Sequence, residues 1–326
     1  MKTILVTGGA GYIGSITVRR LLEEGYKVIV LDNLSRGHKE SLPIEVPFVK
    51  MSISDEQKVL EFLDQYPIDA VIHFAAYAYV GESVTDPNIY YNNNLVKSLI
   101  FLECLKKKNI NKIVFSSSCA TYGYPKELPI HEDLQQHPVN PYGFTKYLFE
   151  QALKFYRDNY SLQFVALRYF NAAGAAYGLG EDHRPETHII PIALQAALGE
   201  RKHFELYGTD YDTPDGSCIR DYVHVLDLAQ AHILALKHLE TGGESKFYNL
   251  GIGKGYSNKE VLKICEEVTG KNILVVEKER RAGDPPVLYA SAEKIKKELG
   301  WQPKYELKDM IQSAWDWHTK NRKGYA

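Results

Sequence analysis

Tyr142 and Lys146 stand four residues apart, just after Pro141 and at the head of an apolar-periodic stretch. Proline suits the first turn of a helix, and an i, i+4 spacing puts two side chains on one helical face. Such a pair suits proton transfer. A free tyrosine has a pKa of about 10, and lowering it by roughly three units means stabilising the phenolate by about 4 kcal/mol. The Lys146 ammonium, helped by a positively charged partner in a partly dry cleft, is the expected source. Ser118 ends the run Ser116-Ser117-Ser118 and can hold the substrate oxygen whose proton Tyr142 removes. A second Tyr-x-x-x-Lys, Tyr122 to Lys126, spans Gly123 and Pro125, so a helix is not expected there and the match is set aside as chance.

A proton carrier of this kind works beside a hydride carrier, and the chain offers a place for one. Gly9-Ala10-Gly11-Tyr12-Ile13-Gly14 fits G-x-G-x-x-G, and Gly8, Gly11 and Gly14 also fit G-x-x-G-x-x-G. The turn follows the apolar run Ile4 to Thr7 and opens a helical pattern. Glycines there permit a tight turn and close approach to a pyrophosphate, which the helix N-terminus then faces. Asp32 falls at the end of the second apolar run, where a carboxylate accepts hydrogen bonds from a ribose hydroxyl and repels a 2′-phosphate. The cofactor expected is therefore NAD rather than NADP, a preference that the nearby Arg36 softens.

These groups need a frame that presents them together. Ile4 to Thr7, Val28 to Leu31, Val71 to Phe74, Ile113 to Phe115 and Phe164 to Leu167 read as strands buried on both faces. Leu21 to Glu24, Val59 to Leu63, Leu95 to Leu105 and Phe149 to Tyr156 read as the helices between them. The expected fold class is α/β, a Rossmann-like doubly wound parallel sheet with a smaller C-terminal α/β substrate domain. Ser118 would lie just past the carboxyl end of its strand, the edge where open α/β sheets bind ligands. After Leu167 the alternation breaks, and Asn171 to Pro185 reads as a long loop of the sort that often carries function. The domains expected are residues 1–170 and 171–326, with 221–251 packing back on the first.

Composition narrows the partners. The 326 residues carry a net charge of −2, so nothing points to nucleic acid or a membrane surface. Cys104, Cys119, Cys218 and Cys265 are far apart and read as reduced thiols of a cytoplasmic protein. Ile4-Leu5-Val6 already begins a strand, which leaves no room for a signal peptide. No metal is expected, because His183 and His188 lack a ligand motif such as H-E-x-x-H.

Taken together, Thr7 to Gly14, Asp32-Asn33-Leu34, His73-Phe74-Ala75-Ala76, Val80-Gly81-Glu82-Ser83, Tyr142 to Lys146, Leu167 to Asn171, Arg220 to Val225 and Arg281-Ala282-Gly283-Asp284 resemble the UDP-glucose 4-epimerases, in the extended short-chain dehydrogenase/reductase family. The likeness covers nearly the whole chain. It implies an NAD-dependent 4-epimerase of UDP-glucose and UDP-galactose in galactose metabolism, working through a transient 4-keto sugar, and a homodimer formed by the helices near Tyr90 to Leu105 and Phe149 to Tyr156. Beyond Gly8, Gly11, Gly14, Asp32, Tyr142 and Lys146, it implies that Tyr12, Ile13, Asn33, Ser52, Ile53, Phe74, Ala75, Ala76, Asn93 and Phe170 contact the cofactor. Ser118, Tyr142, Asn171, His188, Ile189, Tyr207, Arg220, Arg281, Asp284 and Leu288 would meet the UDP-sugar. Arg220, Arg281 and Asn171 would hold its diphosphate, a role that suits guanidinium groups on independent grounds. Leu288 falls where a bulky tyrosine restricts the sugar pocket in some members and a smaller residue admits N-acetyl groups.

Three positions depart from the pattern. Ser52 replaces an aspartate beside the adenine, Ala78 a cofactor-binding lysine found in some members, and Ile16 a common histidine. Ala78 to Ser83 and Cys119 to Gly123 resemble instead the UDP-arabinose (UDP-xylose) 4-epimerases, so a pentose substrate stands as the alternative. A nucleotide-sugar 4,6-dehydratase is disfavoured because Cys119-Ala120-Thr121 offers no carboxylate after Ser118. A non-catalytic NAD sensor would not require Ser118, Tyr142 and Lys146 together.

Overall fold

Residues Thr3–Thr7 (TILVT) are fully or nearly fully buried and form strand β1. Residues 1–281 and 284–325 are described by the computed structural model. Ala282 and Gly283, part of the family-like segment named above, lie outside the described residues, as does Ala326. From β1 the chain runs through α1 (Tyr12–Glu23), β2 (Lys27–Asp32), β3 (Phe48–Lys50), α2 (Glu56–Gln65) and β4 (Ala70–His73). Two short helices, α3 (Val80–Thr85) and α4 (Pro87–Tyr90), and a π-helical turn at Tyr91–Val96 lead into α5 (Lys97–Lys107). Then come β5 (Lys112–Ser118), α6 (Pro141–Tyr160) and β6 (Gln163–Tyr169).

Beyond β6 the elements shorten: β7 (Asn171–Ala173), α7 (Ile189–Ala197), β8 (Phe204–Tyr207), β9 (Ile219–Arg220) and β10 (Tyr222–His224). The long helix α8 (Val225–Glu240) and β11 (Lys246–Leu250) return to the main sheet. The chain ends with β12 (Tyr256–Ser257), α9 (Asn258–Thr269), β13 (Val275–Lys278), β14 (Val287–Leu288), α10 (Glu293–Leu299) and α11 (Leu307–Lys320).

Seven parallel strands make the central sheet in the order β3-β2-β1-β4-β5-β6-β11. Alternate residues of a strand face opposite sides. Ile4 and Val6 of β1 therefore pack with Val18 and Leu21 of α1 and Leu228 and Leu236 of α8. Leu5 packs on the other side with Phe62 of α2, Phe101 of α5 and Phe149 of α6. The doubly wound α/β class expected from the sequence is the one observed. The strand order reverses between β1 and β4, and such a switch point opens a crevice at the carboxyl ends of the strands. The smaller C-terminal part has its own apolar cluster, in which Ile190, Leu194, Phe204, Leu206, Val261 and Met310 join α7, β8, α9 and α11.

The structure departs from the sequence reading at particular places. Strand β5 runs on through Ser116–Ser118, so Ser118 is its last residue instead of lying just past a strand that ends at Phe115. The serines are tolerated because each hydroxyl finds a partner: Ser116 with the Tyr169 hydroxyl, Ser117 with Glu150, and Ser118 with the Ala120 N–H. The stretch read as loop from Asn171 begins as β7, paired in parallel with β10. Strands β3 and β11 were not anticipated, for β3 is three half-exposed residues and β11 mixes Lys246 and Asn249 with its apolar positions. No helix among the described residues is long and apolar enough to cross a membrane.

Candidate active site

The first parts of the site are backbone. Gly8 adopts φ +70° where β1 ends, and a Cβ there would lie 2.5 Å from the Ala75 nitrogen. A Cβ on Gly14 would lie 2.4 Å from the Gly8 carbonyl oxygen, so glycine alone lets α1 start against the turn. Gly11 is the N-cap of α1, no side chain caps it, and no acidic residue occupies the first turn. The first-turn N–H groups are thus left for an external anion, and the turn fits a dinucleotide pyrophosphate. Asp32 closes β2. Its Oδ1 accepts from the Leu34 N–H at 2.8 Å and its Oδ2 from the Ala10 N–H at 3.1 Å. Burial raises its pKa, against the lowering effect of these N–H groups. Arg36 donates to Glu82 at 2.6 Å and sits 4.7 Å over the Tyr79 ring and 5.0 Å over the Tyr77 ring. That pairing commits Arg36 to the wall, which removes most of the softening expected of it.

The groups expected to transfer the proton sit where β5 meets α6. Asn140 caps α6 by accepting from the Gly143 N–H at 2.8 Å, with Pro141 in the first turn. A Cβ on Gly143 would lie 2.3 Å from the Ala120 carbonyl, so this glycine lets the helix start against the segment that follows Ser118. Lys146 Nζ donates to the Ser116 carbonyl at 2.7 Å and lies 5.9 Å from the centre of the Tyr142 ring. Burial brings the Lys146 pKa down to about 7, with Glu150 opposing. Tyr142 differs from the expectation. Burial raises its pKa, Tyr169 and Cys119 add to this, and only a hydrogen bond with Ser118 opposes. The reason is that dry surroundings penalise both the phenolate and the ammonium, and Lys146 spends a hydrogen bond on a carbonyl. The remaining source of stabilisation named from the sequence, a positive nicotinamide ring, belongs to the cofactor.

At the far end, Arg220 on β9 is ion-paired with Asp284 and donates to its neighbouring Ile219 carbonyl at 2.8 Å. Asn171 Nδ2 donates to the Asp221 carbonyl at 2.9 Å. Arg281 stacks 4.1 Å over the Tyr207 ring, whose hydroxyl donates to Glu205 at 2.6 Å. Leu288 on β14 is buried with Tyr122, Ile130 and Phe170. His188 is the N-cap of α7, next to Ile189.

A cavity of about 1260 Å³ joins the two ends. Its walls include every position expected from the sequence to meet the cofactor or the UDP-sugar: Gly8, Gly11, Tyr12, Ile13, Gly14, Asp32, Asn33, Ser52, Ile53, Phe74, Ala75, Ala76, Asn93, Ser118, Tyr142, Lys146, Phe170, Asn171, His188, Ile189, Tyr207, Arg220, Arg281, Asp284 and Leu288. Within it, Ser52 pairs with Ser54 at 2.8 Å and Asn93 accepts from Lys97 at 3.3 Å. The set-aside Tyr122 lies outside any helix paired with Lys126. It is buried, accepts from Arg168 at 2.8 Å and donates to Asn249 at 2.8 Å.

Several wall-builders escaped the sequence reading of individual roles. Glu82 bridges Arg36 and the Tyr90 hydroxyl, 2.8 Å away, and that hydroxyl accepts from the Tyr79 N–H at 3.0 Å. The Tyr90 ring meets Tyr142 edge-on at 6.3 Å. Asn94 grips both the N–H and the carbonyl of Tyr77, at 2.8 and 2.9 Å. Glu150 holds Arg168 by two bonds of 2.9 and 2.7 Å beneath β5. Glu82 and Arg168 lie inside family-like segments, which was their only signal. Asn94 and Glu150 had none, since a buried polar partner is visible only once packing is known.

Comparison with known proteins agrees with this geometry. Residues 4–251 match the model of the NAD dependent epimerase/dehydratase family. The chain is 51% identical over 326 residues to a UDP-glucose 4-epimerase of Halalkalibacterium halodurans, covering 99% of this chain and 97% of that protein. The crystal structure of UDP-glucose 4-epimerase from Brucella ovis in complex with NAD superposes with a TM-score of 0.94 at 47% identity, covering 97% of this chain and 98% of that one. The enzyme of Bifidobacterium longum in complex with NAD⁺ and UDP gives a TM-score of 0.94 at 42% identity, covering 99% and 100%.

Proposed function

The chain belongs to the NAD dependent epimerase/dehydratase family, and from that premise we propose that it is an NAD-dependent UDP-glucose 4-epimerase. The observation that carries the reading is one cavity whose sheet edge holds Ser118, Tyr142 and Lys146 between a glycine turn and a pair of arginines. NAD, when bound, supplies reversible oxidation at the sugar's C4. The glycine turn, the open first turn of α1 and Asp32 would hold it, with Phe74 to Ala76, Asn93 and Phe170 along its length. Ser118 would bind the C4 oxygen. Tyr142 would take the proton of that hydroxyl and return it, with Lys146 positioning it from the same helix face. Arg220, Arg281 and Asn171 would clamp the diphosphate while the sugar turns. The charges of Arg220 and Arg281, set beside the apolar Leu288 and Phe170, support that division.

The finer readings belong to the same proposal. We divide the chain into a cofactor domain, 1–170, and a UDP-sugar domain, 171–326, with 221–251 counted structurally with the first. The four free cysteines and the absence of a membrane-spanning helix among the described residues are consistent with a cytoplasmic enzyme of galactose metabolism. Phe155 (58% exposed) and Tyr160 (48%) on α6 favour a homodimer through that face, which light scattering at micromolar concentration tests. Purified protein given UDP-galactose, UDP-xylose or the N-acetyl analogue, with no added NAD, should convert UDP-galactose to UDP-glucose. A higher catalytic efficiency on UDP-xylose would transfer the reading to the pentose epimerases. Extraction of the denatured protein should release NAD(H) in near-stoichiometric amount, and NADP(H) in its place would overturn the role given to Asp32.

A further inference from the structure

The loop between β7 and α7 brings four ligand-type side chains to one point. Glu181, His183, Glu186 and His188 place one donor atom each within 4.8 Å of all the others. Glu181 Oε1 is 3.0 Å from His183 Nδ1 and 2.8 Å from His188 Nδ1. Glu186 Oε1 is 2.9 Å from His188 Nδ1, and its Oε2 is 3.9 Å from His183 Nδ1. Four donors around a tetrahedral zinc at ~2.0–2.1 Å stand about 3.3 Å from one another. Three of the donor pairs are already within about half an ångström of that spacing, and side-chain rotations that draw the wider pairs in, such as Glu186 toward His183, would complete the arrangement.

Two further observations point to a cation. His183 Nδ1 is buried and has no hydrogen-bond partner, although a carboxylate oxygen is 3.0 Å away. Its in-plane direction therefore misses that oxygen, which is how a ligating nitrogen sits beside a fellow ligand. Glu181 and Glu186 are 6% and 8% exposed; Glu186 Oε1 accepts from the Thr187 and His188 N–H groups, and among the described residues the only side-chain cations that can face the two carboxylates are His183 and His188, not a lysine or arginine. Buried carboxylates are ordinarily paired with a cation or bound to a metal. Two carboxylates and two neutral imidazoles balance a dication and form a borderline N/O donor set that suits zinc.

We propose that Glu181, His183, Glu186 and His188 form a structural Zn²⁺ site. With four protein ligands the set is closed, as structural zinc sites are, and leaves no position for a reacting water. The spacing Glu-x-His-x-x-Glu-x-His lies in a loop and matches no helical motif, which is why no metal was expected from the sequence. The ion would tie the loop to the start of α7. It would also fix the wall beside the dinucleotide turn, because the His183 ring packs edge-on against Tyr12 at 6.3 Å and Tyr79 at 5.6 Å. The inference does not depend on which sugar, if any, the enzyme turns over.

The test is metal content. Purified protein, stripped with a chelator, desalted and titrated with ZnCl₂, should retain one zinc per chain by elemental analysis and unfold at a higher temperature than the stripped form. Loading with Co²⁺ instead should give the intense visible absorption of a tetrahedral site. His183→Gln and Glu186→Gln should each weaken zinc binding by at least about 100-fold, beyond what loss of an outer-shell partner does, and should abolish the thermal shift. Failure of the wild-type protein to retain zinc, or retention by both variants equal to wild type, overturns the site. If either variant fails to fold, the wild-type cobalt spectrum decides: a tetrahedral band supports the proposal, and a weak octahedral spectrum overturns it.

Discussion

The two ends of the cavity are built by different means. At the dinucleotide end, contacts come from backbone: the φ of Gly8, the bare first turn of α1, and strand ends held by a seven-stranded parallel sheet. At the other end, the wall is made by side chains on short strands and the loop before β14, with Arg220 of β9 tied to Asp284 and Arg281 lying on Tyr207. The first end offers a rigid mould, suited to a cofactor that is held through turnover. The second offers charges on short elements, suited to a ligand that must enter and leave. Ser118, Tyr142 and Lys146 lie between, anchored on the rigid side.

If that division holds, removing the proton carrier should stop turnover and spare both binding ends. Tyr142→Phe is expected to lower kcat by about 10²–10⁴-fold, while calorimetry still finds UDP-sugar binding and extraction still finds NAD. Loss of the retained NAD in this variant would break the division. A smaller effect is expected from Arg220→Leu, which should raise KM about 10- to 100-fold, the value of a charge-assisted hydrogen bond at ~1.5–3 kcal/mol. A fall in kcat with KM unchanged would place Arg220 with the chemistry instead of the clamp.

Leu288→Tyr should act on discrimination alone. The added bulk is expected to depress turnover of UDP-N-acetylhexosamines about 10-fold more than that of UDP-galactose, within the ~1–3 kcal/mol that small steric changes supply. Equal slowing of both substrates would show that Leu288 does not gate the pocket. The last effect concerns stability, not turnover, and its dependence on pH. Lys146 is neutral above about pH 7 in the folded chain, whereas the unfolded chain holds that proton to its ordinary, higher pKa. The unfolded state then binds more protons, so stability should rise with pH above 7, by up to about 1.4 kcal/mol per pH unit. Urea denaturation of cofactor-free protein at pH 7 and pH 9 measures this, and Lys146→Met should flatten the difference. An unchanged slope in that variant would assign the pH dependence to another group.

The same contrast explains what could be read from the sequence. Ile4 to Thr7 and Val28 to Leu31 are continuous apolar runs followed by a glycine turn and an aspartate, so a buried strand and its ligand edge were visible locally. Ser116–Ser118 broke the apolar pattern and hid the end of β5, because the hydroxyls are satisfied by Tyr169, Glu150 and Ala120, which are distant or beyond the strand. The roles suggested for Arg220, Arg281, Asp284 and Leu288 rested on family resemblance, since nothing in a two-residue strand or the loop beside it signals what its side chains meet. The pairing of Arg220 with Asp284 joins residues separated widely along the chain, and no periodicity carries that information.

The position of α8 and β11 has a consequence for the chain while it is being made. Val165 and Leu167 of β6 share their cluster with Leu236 and Leu239 of α8 and with Tyr248 and Leu250 of β11. A nascent chain that has emerged only through β10 has six of the seven strands of the main sheet but not this cover, and β6 ends the sheet as an open edge. At about 5–20 residues per second, the ribosome leaves that greasy face and edge bare for several seconds. Helix α8 covers the face first and β11 then closes the edge, so a chain that stopped before Val225 would be expected to yield a sticky fragment instead of a small working domain.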